Sequence, residues 1–127
     1  MPIQEEPEQV DTEAPTSVVE SLCSTDYCQL VSNKHIENDE STTEINSINM
    51  NLKKSVLRAS GTITLAIMQG DNILAKDTLN TGGISTTFTK ATAQFSPPAE
   101  IGGTDFNIVV LYEGSGSVQA GSFTVTG

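Results

Sequence analysis

From residue 45 onward apolar side chains recur at every second position, and each such run is closed by glycine, asparagine or proline. In Thr62 to Met68, Ile63, Leu65 and Ile67 fall on one side and Thr64 and Ala66 on the other. A period of two is the mark of a half-buried β-strand. Gln69-Gly70-Asp71-Asn72 supplies turn chemistry, since Gly and Asn tolerate positive φ, and Asn72 to Leu79 resumes as a second strand. After Asn80-Thr81-Gly82-Gly83, the Thr-rich run Ile84 to Phe95 reads as a strand with a bend around Lys90. Ser96-Pro97-Pro98 then interrupts sheet pairing, because proline has no N–H to donate. Asp105 to Tyr112 puts Phe106, Ile108, Val110 and Tyr112 on one face and Val109 and Leu111 on the other, the pattern of a central strand. Glu113 to Ser117 is a hairpin loop, and Val118 to Thr126 closes the chain with Phe123 and Val125 inward. Upstream, Ile48, Met50 and Leu52 alternate with Asn49 and Asn51, and Gln29 to Ile36 adds one further strand. No segment after residue 45 keeps a 3.6-residue period. The pattern predicts an all-β, antiparallel sandwich of about seven strands. Ile63, Leu65, Ile67, Phe106, Ile108, Val110 and Phe123 are expected to form one cluster between the sheets.

Charge divides the chain. The net charge of −10 lies wholly in residues 1–44, which hold eleven acids and one base; residues 45–127 carry five of each. Three units follow: an acidic arm over 1–16, an acidic connecting segment over 17–44 with both cysteines and the first strand, and a sandwich core over 45–127. Residues 1–16 combine Pro2, Pro7 and Pro15 with five acids. So few apolar groups cannot offset the entropy of ordering, so this arm is expected to be disordered. An acidic chain repels phosphate backbones, which argues against nucleic acid as a partner. No apolar run approaches the roughly 20 residues of a membrane-spanning helix, and Met1-Pro2-Ile3-Gln4-Glu5-Glu6 does not read as a signal peptide.

The last third resembles the closing hairpin of prokaryotic surface Ig-like or fibronectin-III-like domains. The matching residues are Gly103-Thr104, Phe106, Ile108 to Tyr112, Gly114-Ser115-Gly116 and Ser122-Phe123-Thr124-Val125. The resemblance spans about 25 residues and implies an Ig-like sandwich serving as a binding, spacer or assembly module. The chain departs from antibody-type domains: it has no Trp, and both cysteines precede the sandwich.

Cys23 and Cys28 admit two exclusive readings. Ser17-Val18-Val19-Glu20 resembles a capping box, and Val19, Leu22, Cys23, Tyr27 and Leu30 then make the stripe of a short helix. Such a helix would hold the two thiols too far apart to join. Alternatively Ser24-Thr25-Asp26 is a turn and the thiols form a disulfide, which we expect in a domain with so small an aromatic core. A zinc site would have to draw on Cys23, Cys28, His35 and Glu37 or Asp39, with loose spacing and a single histidine, so no metal site is assigned.

Catalysis has little to work with. His35 is the only imidazole, and Gly114-Ser115-Gly116-Ser117 lacks the order of a nucleophile elbow. Neither a cofactor nor an enzymatic role is expected. The first expectation is a non-enzymatic structural or interaction module, extracellular, on a cell surface or in a virion, with a cytoplasmic setting left open. It would act by surface complementarity or by pairing of an uncharged edge strand. That edge is Val118, Gln119, Ala120, Ser122, Thr124 and Thr126, and its partner is another protein or a second copy. The alternative is a ligand-binding module for glycan or calcium. Asp71, Asn72, Glu100 and Asp105 would be the calcium ligands. Tyr112 is either a sugar platform at a loop edge or a core residue.

Overall fold

The computed structural model describes residues 3–5, 28–36, 42–69, 72–102 and 105–126. Eight strands are seen among them: β1 (Ile3–Glu5), β2 (Cys28–Ile36), β3 (Thr42–Lys54), β4 (Gly61–Gln69), β5 (Asn72–Asn80), β6 (Thr89–Gly102), β7 (Phe106–Gly114) and β8 (Val118–Thr126). Strands β2 to β8 are the seven expected. They form two four-stranded antiparallel sheets, β1-β8-β3-β6 and β2-β7-β4-β5, hereafter sheets A and B. The chain is an all-β sandwich.

Alternation builds the interior. The inward residues of both sheets form one buried cluster that contains all seven of the expected core positions. Tyr112 belongs to it: the ring is fully buried and its hydroxyl donates to the Ser115 carbonyl at 2.5 Å. Strand β7 is central in sheet B, between β2 and β4, and is buried on both faces. Val109 and Leu111 join Met68 in a second, smaller cluster. At the start of β4, Gly61 stands opposite Gly114 of β7. A Cβ on Gly61 would lie 2.7 Å from the Gly114 Cα, so only glycine lets these backbones approach.

The proline segment interrupts pairing with β3 as expected, yet the strand continues past it. Strand β6 does not end at Ser96-Pro97-Pro98 but runs on to Gly102. Pairing with β3 breaks between Gln94, opposite Ser47, and Ala99, opposite Ile45. The prolines are tolerated because β6 is the outer strand of sheet A, and the extra residues loop out of register there. The Thr-rich run is also divided: β6 begins only at Thr89, after a short 3-10 turn over Thr81–Gly83.

The N-terminal arm was expected to lack structure throughout 1–16. Within it, Ile3–Glu5 forms β1 and pairs with β8, Gln4 opposite Thr124; residues 6–27 lie outside the described residues. Strand β8 is therefore not a free edge along its second half. It lies between β1 and β3, and of the residues assigned to that edge, Val118 and Ala120 point into the core. Cys28 opens β2 and is disulfide-bonded. Cys23, its expected partner, lies outside the described residues, as do Glu37, Asp39 and Asp71.

Candidate functional site

The outward side chains of β6, β3 and β8 align in rows across sheet A. One row is Thr92, Asn49 and Thr124, fixed by the pairing of Asn49 with both neighbours. The next is Lys90, Asn51 and Ser122. Extending the register one step past Thr89 brings Phe88 beside Lys53, which pairs on its other side with Gln119. The Lys53 Nζ sits 4.8 Å from the centre of the Phe88 ring. Toward the far end, Gln94, Ser47 and Thr126 make a further uncharged row.

A bulge sets the middle of this surface. Met50 pairs with Phe123 and Leu52 with Ala120, so Asn51 alone faces both Gly121 and Ser122. The extra residue turns Ser122 outward, where its Oγ accepts from Asn51 Nδ2 at 2.9 Å. It also leaves Gly121, with no side chain, beneath the Phe88 ring. Thr92 donates to Asn49 Oδ1 at 2.6 Å. These bonds hold the two asparagine amides in fixed orientations, each with further donor and acceptor capacity. A cavity of about 230 Å³ opens over Asn49, Asn51, Lys90, Ser122, Phe123 and Thr124.

Phe88 is 45% exposed, and it lies on a loop that is well anchored. Buried Thr81 receives the Gly61 N–H on its Oγ1 and the Lys54 ammonium on its carbonyl. Ile84 is buried and its N–H donates to the Thr81 carbonyl. The Lys54 N–H donates to the Ser85 carbonyl at 3.0 Å, and the Ser85 and Thr89 hydroxyls meet at 2.9 Å. The ring is thus held out over Gly121 by a braced loop.

Charge is distributed unevenly along the same sheet. Lys90 lines the cavity and Lys53 stands on the next row, and no carboxylate is among the lining residues. At the other end of sheet A, Glu44 and Glu100 face each other across β3 and β6, and Glu5 of β1 stands opposite Phe123. His35, the sole imidazole, belongs to the β2 end of sheet B and pairs with Asp105 at 2.9 Å.

The residues singled out from sequence fare as follows. Gln119, Ser122, Thr124 and Thr126 share the outward face of sheet A, and β1 covers the β8 edge along Phe123 to Val125. Tyr112 is a core residue. Glu100 and Asp105 are not brought into a metal site with a third ligand: no group of three His, Cys, Asp or Glu residues able to hold an ion occurs among the described residues. Phe88, Asn49, Asn51, Lys53, Lys90 and Thr92 were not singled out. The sequence did hold a signal for Phe88. It lies seven positions before the buried Phe95, an odd offset, so a strand that buries one must expose the other.

No protein-family model matches the sequence, and no curated protein matches it. Solved structures do resemble the fold. A family 6 carbohydrate-binding module from Clostridium stercorarium, determined with cellobiose, aligns over 98% of this chain and 92% of its own, with 14% identity and a TM-score of 0.50. The C-terminal family 6 carbohydrate-binding module of the laminarinase LamC from Zobellia galactanivorans aligns over 100% of both chains, with 12% identity and a TM-score of 0.49. At these identities the likeness is one of fold. What the chain shares with the Clostridium stercorarium module is the all-β sandwich, and the Ig-like resemblance of the closing hairpin is supported at that level.

Proposed function

We propose that the chain is a non-catalytic glycan-binding module and that the outward face of β6, β3 and β8 is its binding surface. The observation that carries this reading is Phe88: a ring 45% exposed beside an open cavity lined by amides, hydroxyls and a lysine. A sugar ring presents a C–H face to an aromatic ring and hydroxyls around its edge, and this surface offers a partner for each. The sandwich fold shared with the Clostridium stercorarium module, determined with cellobiose, is consistent with this role. The surface holds neither an imidazole nor a carboxylate pair among the described residues, so it has no general acid and base for hydrolysis.

The face fits a glycan better than strand pairing fits a protein partner. The outer strands carry their own protection: β1 covers part of β8, and Asp77 of β5 accepts the outward Gln94 N–H of β6 at 3.0 Å. No helix among the described residues is long and apolar enough to cross a membrane. An extracellular or cell-surface setting accords with polymeric glycan as the ligand.

An open groove with one aromatic contact should bind in the range of about 0.1–1 mM, roughly −4 to −5.5 kcal/mol. Titration calorimetry or affinity electrophoresis against soluble neutral and acidic polysaccharides, with the chain and its Phe88→Ala variant, tests the reading. Binding to at least one polymer that Phe88→Ala abolishes supports it. No binding across the panel, or binding indifferent to Phe88, overturns it.

A further inference from the structure

Granting the glycan reading, on which this step rests, we infer that the sugar recognised is anionic, carrying a carboxylate or sulfate that Lys53 and Lys90 receive. Residues 45–127 hold five acids and five bases, and two of those bases, Lys53 and Lys90, stand at or beside a cavity whose lining residues include no carboxylate.

Two features of the lysines point to a ligand. Lys90 lines the cavity and stands directly opposite Asn51, yet it makes no hydrogen bond or ion pair among the described residues. The asparagines beside it are already engaged, Asn51 with Ser122 and Asn49 with Thr92. The ammonium is therefore the group on this face with the most unused donor capacity, and it has three donors and no acceptor. Lys53 is held over the Phe88 ring by a cation–π contact. An exposed contact of that kind is weak, so a sugar stacking on Phe88 can take its place and the displaced ammonium remains at the sugar's rim. Lys53 lies two residues along β3 from Asn51, so its backbone is roughly 8 Å diagonally from that of Lys90. Two flexible side chains at that spacing reach a single anionic group or neighbouring ones along a polymer. The like-charged Glu44 and Glu100 at the opposite end of sheet A set the polarity with which such a polymer lies.

The experiment uses matched probes. Polygalacturonate is compared with its carboxyl-reduced neutral form, and a sulfated galactan with its desulfated form, at about 20 and 200 mM salt, spanning strong and weak screening. The full chain is tested beside Lys90→Gln, Lys53→Gln, the double variant, Phe88→Ala and Lys76→Gln. Lys76, on the outer strand of sheet B, serves as a control for charge alone. Expected is a preference of about tenfold for one anionic probe over its neutral counterpart, lost at high salt and in the double lysine variant and kept in Lys76→Gln. Which pair shows the preference separates carboxylate from sulfate. Binding of neutral probes as tight as anionic ones, still sensitive to Phe88, overturns this inference and leaves the glycan reading standing. An anionic preference weakened equally by Lys76→Gln overturns it as well, since net charge would then be the cause. Failure of every probe to bind removes both.

Discussion

The ring of Phe88 rests on Gly121: a Cβ at that glycine would fall 2.9 Å from the Phe88 Cε1 and 3.1 Å from Cδ1. A turn-proximal loop and a strand bulge, 33 residues apart in sequence, thus cooperate to present one aromatic surface. Gly121→Ala should displace the ring without disturbing the core, since Phe88 is half exposed. We expect both Gly121→Ala and Phe88→Ala to lose glycan binding at least tenfold while losing no more than about 1 kcal/mol of stability. Calorimetric titration beside chemical denaturation checks this. A variant that unfolds early but binds normally when folded would contradict it.

The core makes the opposite demand. Phe106 and Phe123 sit within the inter-sheet cluster, 1% and 3% exposed. Truncating either to alanine removes a buried ring and leaves a cavity, a loss of about 3–5 kcal/mol. Urea titrations should show the midpoint collapse in both. A loss below about 1 kcal/mol at both positions would be incompatible with their burial.

What could be read from the sequence was what repeats. In β4 and β7 the inward residues Ile63, Leu65, Ile67 and Phe106, Ile108, Val110, Tyr112 recur at every second position, so these strands follow directly from a period of two. The site was harder to see because it depends on breaks in that period. Ala120 and Phe123 both point inward although they are three positions apart, an odd offset, which requires the bulge at Gly121 and Ser122. Reading Val118 to Thr126 as one unbroken strand hides it. Phe88 was absorbed into a continuous Thr-rich strand, whereas the strand begins one residue later. The pairing of Ile3–Glu5 with β8 was invisible because three residues carry no periodicity and their acidic, proline-flanked setting points to disorder.

Tyr112 supplies a pH dependence. Burial disfavours the phenolate and pushes the Tyr112 hydroxyl above its ordinary value. The folded chain therefore holds this proton at a pH where the unfolded chain has released it. That stabilisation is complete below the unfolded tyrosine pKa of about 10 and is lost as pH rises through the higher folded value. Stability measured between about pH 9 and 11 should fall more steeply for the full chain than for Tyr112→Phe. The variant also lacks the hydrogen bond to the Ser115 carbonyl, so it should start from lower stability at neutral pH. Parallel curves would show that Tyr112 does not titrate with unfolding.

We propose that Cys28 is bonded to Cys23, the only other cysteine of the chain. The bond would close a short loop immediately before β2, and a small, aromatic-poor core benefits from such a staple. Peptide mapping without reduction should recover the two cysteines in one linked fragment, and reduction should lower the unfolding midpoint. Two alkylatable thiols in oxidised protein would end the proposal.

The N-terminal strand gives the last prediction. Ile3–Glu5 occupies the side of β8 opposite β3, along Phe123 to Val125, and β8 has no charged side chain. Deleting residues 1–16 therefore does two things. It uncovers part of an uncharged strand edge, and it reduces the net charge from −10 to −5 by removing five acids and no base. The loss of intrinsic stability should be small. Each of the few hydrogen bonds made by β1 contributes about 0.5–1.5 kcal/mol, and ordering each residue costs about 1–2 kcal/mol. Association should change more, because an open edge recruits another strand and weaker repulsion no longer opposes the encounter. We expect the truncated chain to melt within a few degrees of the full one yet to form dimers or larger species in light scattering. The effect should strengthen with salt, which screens the remaining charge. A truncated chain that stays monomeric and melts many degrees lower would assign β1 to holding the sandwich together and not to guarding its edge.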